Sequence, residues 1–119
     1  MPRVLVVDGA NVVGSRPDGW WKDRAGAARR LHERLVTADL SCDEVVLVLE
    51  GAARPGAPAG RDSHVRTVHA RGSGDDEIVV QANRPGDTVV VVTADRMLQS
   101  RVAAVGATTM SPLWLLDQL

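Results

Sequence analysis

Residues 89–96 read VVVVTADR and residues 4–9 read VLVVDG. Each is an unbroken run of valine and leucine that stops at or just before an aspartate. A half-exposed strand alternates apolar and polar residues. A run that is apolar at every position is a strand buried on both faces. Val4 to Val7 is therefore one buried strand, with Asp8-Gly9 as the turn that follows it. Val89 to Val92 is another, ended by Thr93-Ala94-Asp95. Working outward, Val45 to Leu49 repeats the pattern and ends at Glu50-Gly51. Val65 to Ala70 is weaker. It sets His64, Arg66 and Val68 on one face and Val65, Thr67 and His69 on the other, as an edge strand would. Ala107 to Met110 makes a short last strand.

Helical patterns fill the intervals. Between Asp23 and Ala38, Ala28, Leu31 and Leu35 share one face. Between Asp75 and Asn83, Ile78, Val79 and Ala82 can face a sheet, and Asn83, Pro85 and Gly86 stop the helix. Between Asp95 and Val105, Leu98, Val102 and Val105 form the stripe and Gly106 ends it. Ser111-Pro112 is an N-cap followed by proline at the first helical position, opening a short helix through Leu116. Gly51 to Arg61, GAARPGAPAGR, is the low-complexity stretch and reads as a long loop. Strands alternating with helices predict a single α/β domain over residues 1–119: three layers, a parallel sheet of about five strands, and helices on both faces.

Composition narrows the function. The chain is 45% apolar and 24% charged, with 14 Lys+Arg against 15 Asp+Glu for a formal charge of −1. That excludes a strongly basic coat for non-specific nucleic-acid binding and leaves room for a local basic patch. The single Cys42 excludes an internal disulfide and a cysteine zinc site. It has no activating basic neighbour in sequence and is expected to be inert. Phe and Tyr are absent, so Trp20, Trp21 and Trp114 are the aromatics and the core must be Val, Leu and Ala. No apolar run approaches the roughly 18 residues that span a bilayer. MPRVLVVDG lacks the features of a signal peptide. The expected compartment is the cytoplasm, with no membrane partner.

The acids fall in one place. Ligands of an open α/β sheet bind at the carboxyl ends of the strands, where the strand order reverses. Asp8 follows the first strand, Glu50 the second and Asp95 the fourth, while Asp75 and Asp76 open the helix after the third. A sheet order of 3-2-1-4-5 seats Asp8 and Asp95 side by side. Each acid alone has an ordinary structural use: a turn at Asp8, a helix cap at Asp95, an acidic first turn at Ser73-Gly74-Asp75-Asp76-Glu77, a solvated loop at Glu50. Acids after every one of the first four strands are harder to assign to capping. Such a cluster attracts hard divalent ions, Mg²⁺ or Mn²⁺, and two ions about 4 Å apart align water and leaving oxygen in phosphodiester hydrolysis.

VVDGANVVG (residues 6–14), GSGDDEIV (72–79) and VVVVTADR (89–96) together resemble the PIN-like nucleases, in particular the YacP-like NYN branch. There a first strand ends in Asp-Gly-x-Asn, a middle helix opens with paired aspartates, and a fourth strand ends in Thr-(Ser/Ala)-Asp-Arg. The match runs from about Arg3 to Pro112. The resemblance implies a PIN-like fold and a metal-dependent ribonuclease. By motif it implies Asp8, Asp76 and Asp95 as ligands, with Asp75 as a fourth candidate. Asn11 becomes a polar group of the cleft, and Thr93 a helper that orients Asp95 or a water. The related flap-endonuclease pattern has a glutamate two positions before the paired aspartates, where this chain has Ser73. That departure keeps a second function open, a non-catalytic RNA-binding module on the same fold.

The RNA, single-stranded or structured, needs cations beside the acids. Arg16, Arg54, Arg61 and Arg71 fall in expected loops, Arg96 follows Asp95, and Lys22 follows Trp20-Trp21, where a base could stack. For any one arginine, solvated surface is the ordinary alternative. His69 is expected to pack at a strand end. A receiver domain is excluded by its need for a Lys after the last strand, since Lys22 is the chain's single lysine. A haloacid-dehalogenase-type phosphatase is excluded by Asp8-Gly9-Ala10 where Asp-x-Asp is needed. Nucleotide folds are excluded because neither GxxxxGK[ST] nor GxGxxG occurs. An apolar edge such as the last strand or Trp114 makes a second copy of the chain a candidate partner.

Overall fold

The structure, a computed structural model, describes residues 3–119. β1 (Arg3–Asp8) runs into α1 (Gly9–Gly14), and a 3-10 turn (Trp20–Lys22) leads to α2 (Arg24–Thr37). Then come β2 (Glu44–Leu49), a second 3-10 turn (Gly51–Gly56), β3 (Gly60–Asp62), β4 (Val65–His69) and α3 (Gly74–Ala82). β5 (Thr88–Val92), α4 (Arg96–Ala103), β6 (Thr108–Met110) and α5 (Pro112–Leu116) complete the chain. Among the described residues no helix is long and apolar enough to cross a membrane.

The sheet has six strands in the order β3-β4-β2-β1-β5-β6. The five parallel strands stand in the order expected from the sequence, with β1 paired to both β2 and β5. The strand order reverses between β1 and β5, so their carboxyl ends form the crevice in which this class of sheet binds ligands. Two-residue periodicity separates two cores. Leu5 and Val7 of β1 join Leu31, Leu35, Leu47 and Leu115 on the side of α1, α2 and α5. Val4 and Val6 join Ile78, Leu98 and Val102 on the side of α3 and α4. Both faces of β1, β2 and β5 are thereby covered, which is why those strands carry valine and leucine at nearly every position.

Four expectations are corrected. The sheet is mixed rather than wholly parallel, because β3 adds an antiparallel edge along β4. β4 is consequently interior, not an edge strand. The long loop expected from Gly51 to Arg61 is a 3-10 turn followed by that strand. β3 is fully exposed and turns back through Ser63, which takes a left-handed φ of 57°. A short strand carrying Arg61 and Asp62 is a poor template for pairing with another chain. Finally, Asp8-Gly9 is no simple turn. Asp8 caps α1, its Oδ1 accepting from the Asn11 amide at 3.2 Å.

Gly9 is what lets α1 start so close to the sheet. A Cβ there would lie 2.6 Å from the Val48 carbonyl oxygen and 2.9 Å from Leu49 Cδ2. The backbone of β2 cannot yield, so α1 would have to move and carry Asn11 with it. Gly9→Ala is expected to cost about 2 kcal/mol as an overpacked contact, read as a lower urea midpoint. An unchanged midpoint would show that α1 slides freely on β2.

Candidate active site

Three strand ends deliver acids to one crevice. Asp8, the last residue of β1, is 7% exposed. Its Oδ2 accepts from the Thr93 hydroxyl at 2.9 Å. Thr93 follows β5 and is fully buried. Its Oγ1 in turn accepts from the Asp95 amide at 3.1 Å. Asp95 turns its own Oδ1 to the Leu98 amide at 3.1 Å and so caps α4. Asn11 closes the loop from the other side, its Oδ1 accepting from the Ala94 amide at 2.8 Å. Asp8, Asn11, Thr93 and Asp95 are therefore one hydrogen-bonded unit that joins the starts of α1 and α4.

Glu50 and Asp75 come from the neighbouring strand and helix. Glu50 Oε2 accepts from the Gly74 amide at 2.7 Å, at the first turn of α3. A Cβ on Gly74 would stand 2.9 Å from the Glu50 carboxyl carbon, so glycine makes the approach possible. The sequence left Glu50 undecided between a loop acid and a ligand. Its signal lay in Gly74, which reads as one more helix-start glycine unless the partner is known. Asp75 is half-buried on α3. Asp76, one residue on, is exposed and pairs with Arg101 at 2.9 Å. Asp75 thus sits among the acids, and the Arg101 paired to Asp76 also acts on Asp75.

The electrostatics mark the same group. Burial pushes the Asp8 carboxyl above its ordinary value; hydrogen bonds from Thr93 and Asn11 pull it partly back, and the charges of Asp75 and Glu50 add to the rise. Asp75 is also raised, by burial and then by Asp95, Glu50 and Asp76, against a counterpull from Arg101. Four carboxylates, Asp8, Glu50, Asp75 and Asp95, are linked by mutual repulsion. Among the described residues no three His, Cys, Asp or Glu side chains converge closely enough to cage an ion directly. The donor chemistry still fits a hard cation. Mg²⁺ keeps several waters and takes only one or two protein carboxylates, with substrate phosphate completing its shell.

The expected cations scatter. Arg96 opens α4 next to Asp95 and is exposed, as are Arg71, ahead of α3, and Lys22. Arg54 folds back on the Gly51 carbonyl at 3.3 Å. Arg16 lies beyond α1 in a groove with Arg30 and Arg34. Arg61 is not at this edge: it reaches toward Glu44 at 3.9 Å, at the start of β2 and the far end of the sheet. Beside the acids lies a cavity of about 320 Å³ lined by Gly9, Glu50, Gly72, Trp20 and Arg24. The Arg24 guanidinium sits 5.4 Å from the Trp20 ring centre, and Trp21 meets Trp20 edge to face at 6.0 Å. Trp20 lines the cavity and Trp21 is exposed. His69 ties down the preceding loop, its Nε2 2.7 Å from the Ala57 carbonyl oxygen.

Thr93 gives the sharpest test of this geometry. Thr93→Val keeps the shape and removes the hydroxyl, leaving Asp8 Oδ2 and the Asp95 amide without that partner. The cost is expected to be about 1–3 kcal/mol. The Asp8 carboxyl, observed by carbon-detected NMR titration, should also move further up. Thr93→Ser should leave the titration where it is in the wild type. An Asp8 titration identical in all three proteins would contradict the bridge.

No family model matches the chain, and no curated protein matches it. Solved structures do. The crystal structure of Rae1 (YacP) from Bacillus subtilis, as the W164L mutant, superposes with a TM-score of 0.74 at 21% identity, over 97% of this chain and 73% of that one. A second crystal structure of Rae1 (YacP) from Bacillus subtilis gives a TM-score of 0.66 at 20% identity, over 96% and 71%. The chain has the fold of Rae1 (YacP).

Proposed function

We propose that the protein is a metal-dependent ribonuclease that hydrolyses RNA phosphodiester bonds at the carboxyl ends of β1 and β5. The observation that carries this reading is the coupled cluster of Asp8, Glu50, Asp75 and Asp95 at the point where the strand order reverses. Holding like-charged carboxylates together, with Asp8 buried among them, destabilises the empty fold, which is common where a site is kept for function. The shared fold with Rae1 (YacP) and the family resemblance of the three motifs point the same way.

In this reading Asp8, Asp75 and Asp95 would hold Mg²⁺ or Mn²⁺, one or two of them directly and the rest through the ion's waters. Asp76 joins them only when Arg101 releases it. When bound, the ion neutralises phosphoryl charge and makes water more acidic. The chain's own groups do the positioning. Thr93 fixes the Asp8 carboxylate and the Asp95 backbone together. Asn11 holds the Ala94 turn against α1. Glu50 anchors the start of α3 and so the approach of Asp75. Arg96, Arg71 and Lys22 are free to meet phosphates beside the acids, with Arg16 and Arg54 further out.

A second reading keeps the fold and RNA binding without cleavage. It is favoured by one observation, that no ready-made cage of three donors exists among the described residues. Incubation of labelled single-stranded and structured RNAs with Mn²⁺ separates the two. Cleavage by the wild type should vanish with EDTA, and in Asp8→Asn and Asp95→Asn should fall by at least about 100-fold, with both variants folded because asparagine caps helices as well as aspartate does. RNA bound but left intact at every Mn²⁺ concentration would establish the second reading.

A further inference from the structure

The groove between α1 and α2 holds charge that the acidic site does not use. It has a volume of about 290 Å³ and is lined by Arg16, Arg30, Arg34 and Asp18 over a floor of Val13 and Leu31. All three arginines are exposed, and among the described residues none forms an ion pair. Four of the other arginines are held in ion pairs. Arg61, Arg66 and Arg84 converge on Glu44, and Arg101 pairs with Asp76. Val13 lines both this groove and the Trp20–Arg24 cavity, which itself reaches Glu50. The two hollows therefore adjoin at Val13, and together they reach from Glu50, past an aromatic ring, to a patch of unpaired guanidinium groups.

We propose that this groove binds the phosphate backbone of the RNA strand as it leaves the acidic edge, with a base entering the Trp20–Arg24 cavity between them. The proposal rests on the RNA reading given above. Arg30 and Arg34 are four residues apart on one helix, so they share a face with about 6 Å of rise between them, close to the spacing of neighbouring phosphates along a strand. Guanidinium forks match phosphate oxygens in pairs, a geometry that lysine lacks. Trp20 offers a π surface for a base of any identity. This arrangement makes recognition backbone-directed, with a footprint of several nucleotides on one side of the cleaved bond.

The test is fluorescence anisotropy of a short labelled single-stranded RNA in EDTA, across a salt series. For single strands log K falls with log salt by about 0.7 per phosphate contact. Arg30→Gln/Arg34→Gln should flatten the slope by about 1.4 and weaken binding at 50 mM salt by roughly 70-fold, from extrapolating that slope to 1 M. Arg30→Lys/Arg34→Lys should keep the slope. Should the double variant unfold, Arg34→Gln alone is expected to flatten the slope by about 0.7. Unchanged slope and affinity in the glutamine variant would overturn the groove and leave the ribonuclease reading intact. A wild type that binds through these arginines but never cleaves with Mn²⁺ would uphold the groove and remove the ribonuclease reading. A wild type that binds no RNA would overturn the proposal. So would a glutamine variant that keeps RNA affinity but loses polyglutamate, since that result assigns the groove to an acidic polypeptide.

Discussion

The hydroxyl of Thr93 holds the crevice together. It donates to the carboxylate of Asp8 and accepts from the amide of Asp95. Those two residues end different elements, β1 and the turn after β5, and each caps the helix that follows. One buried polar atom thus fixes two strand ends, two helix starts and two acids relative to one another. An apolar side chain of the same shape would fill the space, but it would leave a buried carboxylate oxygen and a backbone donor without that partner. Sheet topology explains why the bridge exists. β1 and β5 pair in register from Arg3 with Thr88 to Val7 with Val92, so the residues that follow emerge side by side.

Charge is sorted along the strands. At the amino end of β2, Glu44 gathers Arg66 at 3.2 Å, Arg84 at 3.4 Å and Arg61 at 3.9 Å. Burial pushes the Glu44 carboxyl up, but the hydrogen bonds and charges of Arg84 and Arg66 outweigh it and hold the group below its ordinary range. A depressed carboxyl stabilises the fold above its unfolded pKa and loses that contribution as pH falls through the folded one. The carboxyl end is the reverse case. Asp8 and Asp75 are raised, so their protonation stabilises the empty fold as pH falls, and that contribution is lost as pH rises through the folded values. The chain has a net charge near zero and yet keeps acids at one end of the sheet and neutralised cations at the other. Among the described residues Asp8, Glu50 and Asp95 have no ion-pair partner at that end, and a divalent ion would supply the counter-charge.

The parallel strands were legible because burial on both faces leaves an unbroken apolar run, as in Val4–Val7 and Val89–Val92. Helix starts at Ser73, Asp95 and Ser111 were legible because a capping side chain is a local signal. β3 was not, because three exposed residues, Gly60, Arg61 and Asp62, carry no burial pattern. α1 was hidden for a related reason: Asp8-Gly9 satisfies a turn as well as a cap, and only packing on β2 decides. At the site, the sequence could bring the paired aspartates to the head of α3 but not orient them. Neighbouring helical residues point about 100° apart, and the position of Arg101, a helix away, settles that Asp76 faces out. Glu50 depended on the absence of a side chain at Gly74, which only the assembled fold makes meaningful.

The central claim is that these carboxylates repel one another until a divalent ion arrives. The thermal midpoint of the wild type and of Asp8→Asn, followed against Mn²⁺ at several pH values, tests it most directly. The account predicts a wild-type midpoint that rises with Mn²⁺ by mass action, about 2.7 kcal/mol at a hundredfold excess over Kd. The rise should shrink as the pH falls, because protons compete for the same oxygens. Asp8→Asn, which trades relieved repulsion against a lost acceptor in the Thr93 bridge, should gain little from Mn²⁺. A wild-type midpoint that ignores Mn²⁺ up to millimolar concentrations at neutral pH would contradict the account.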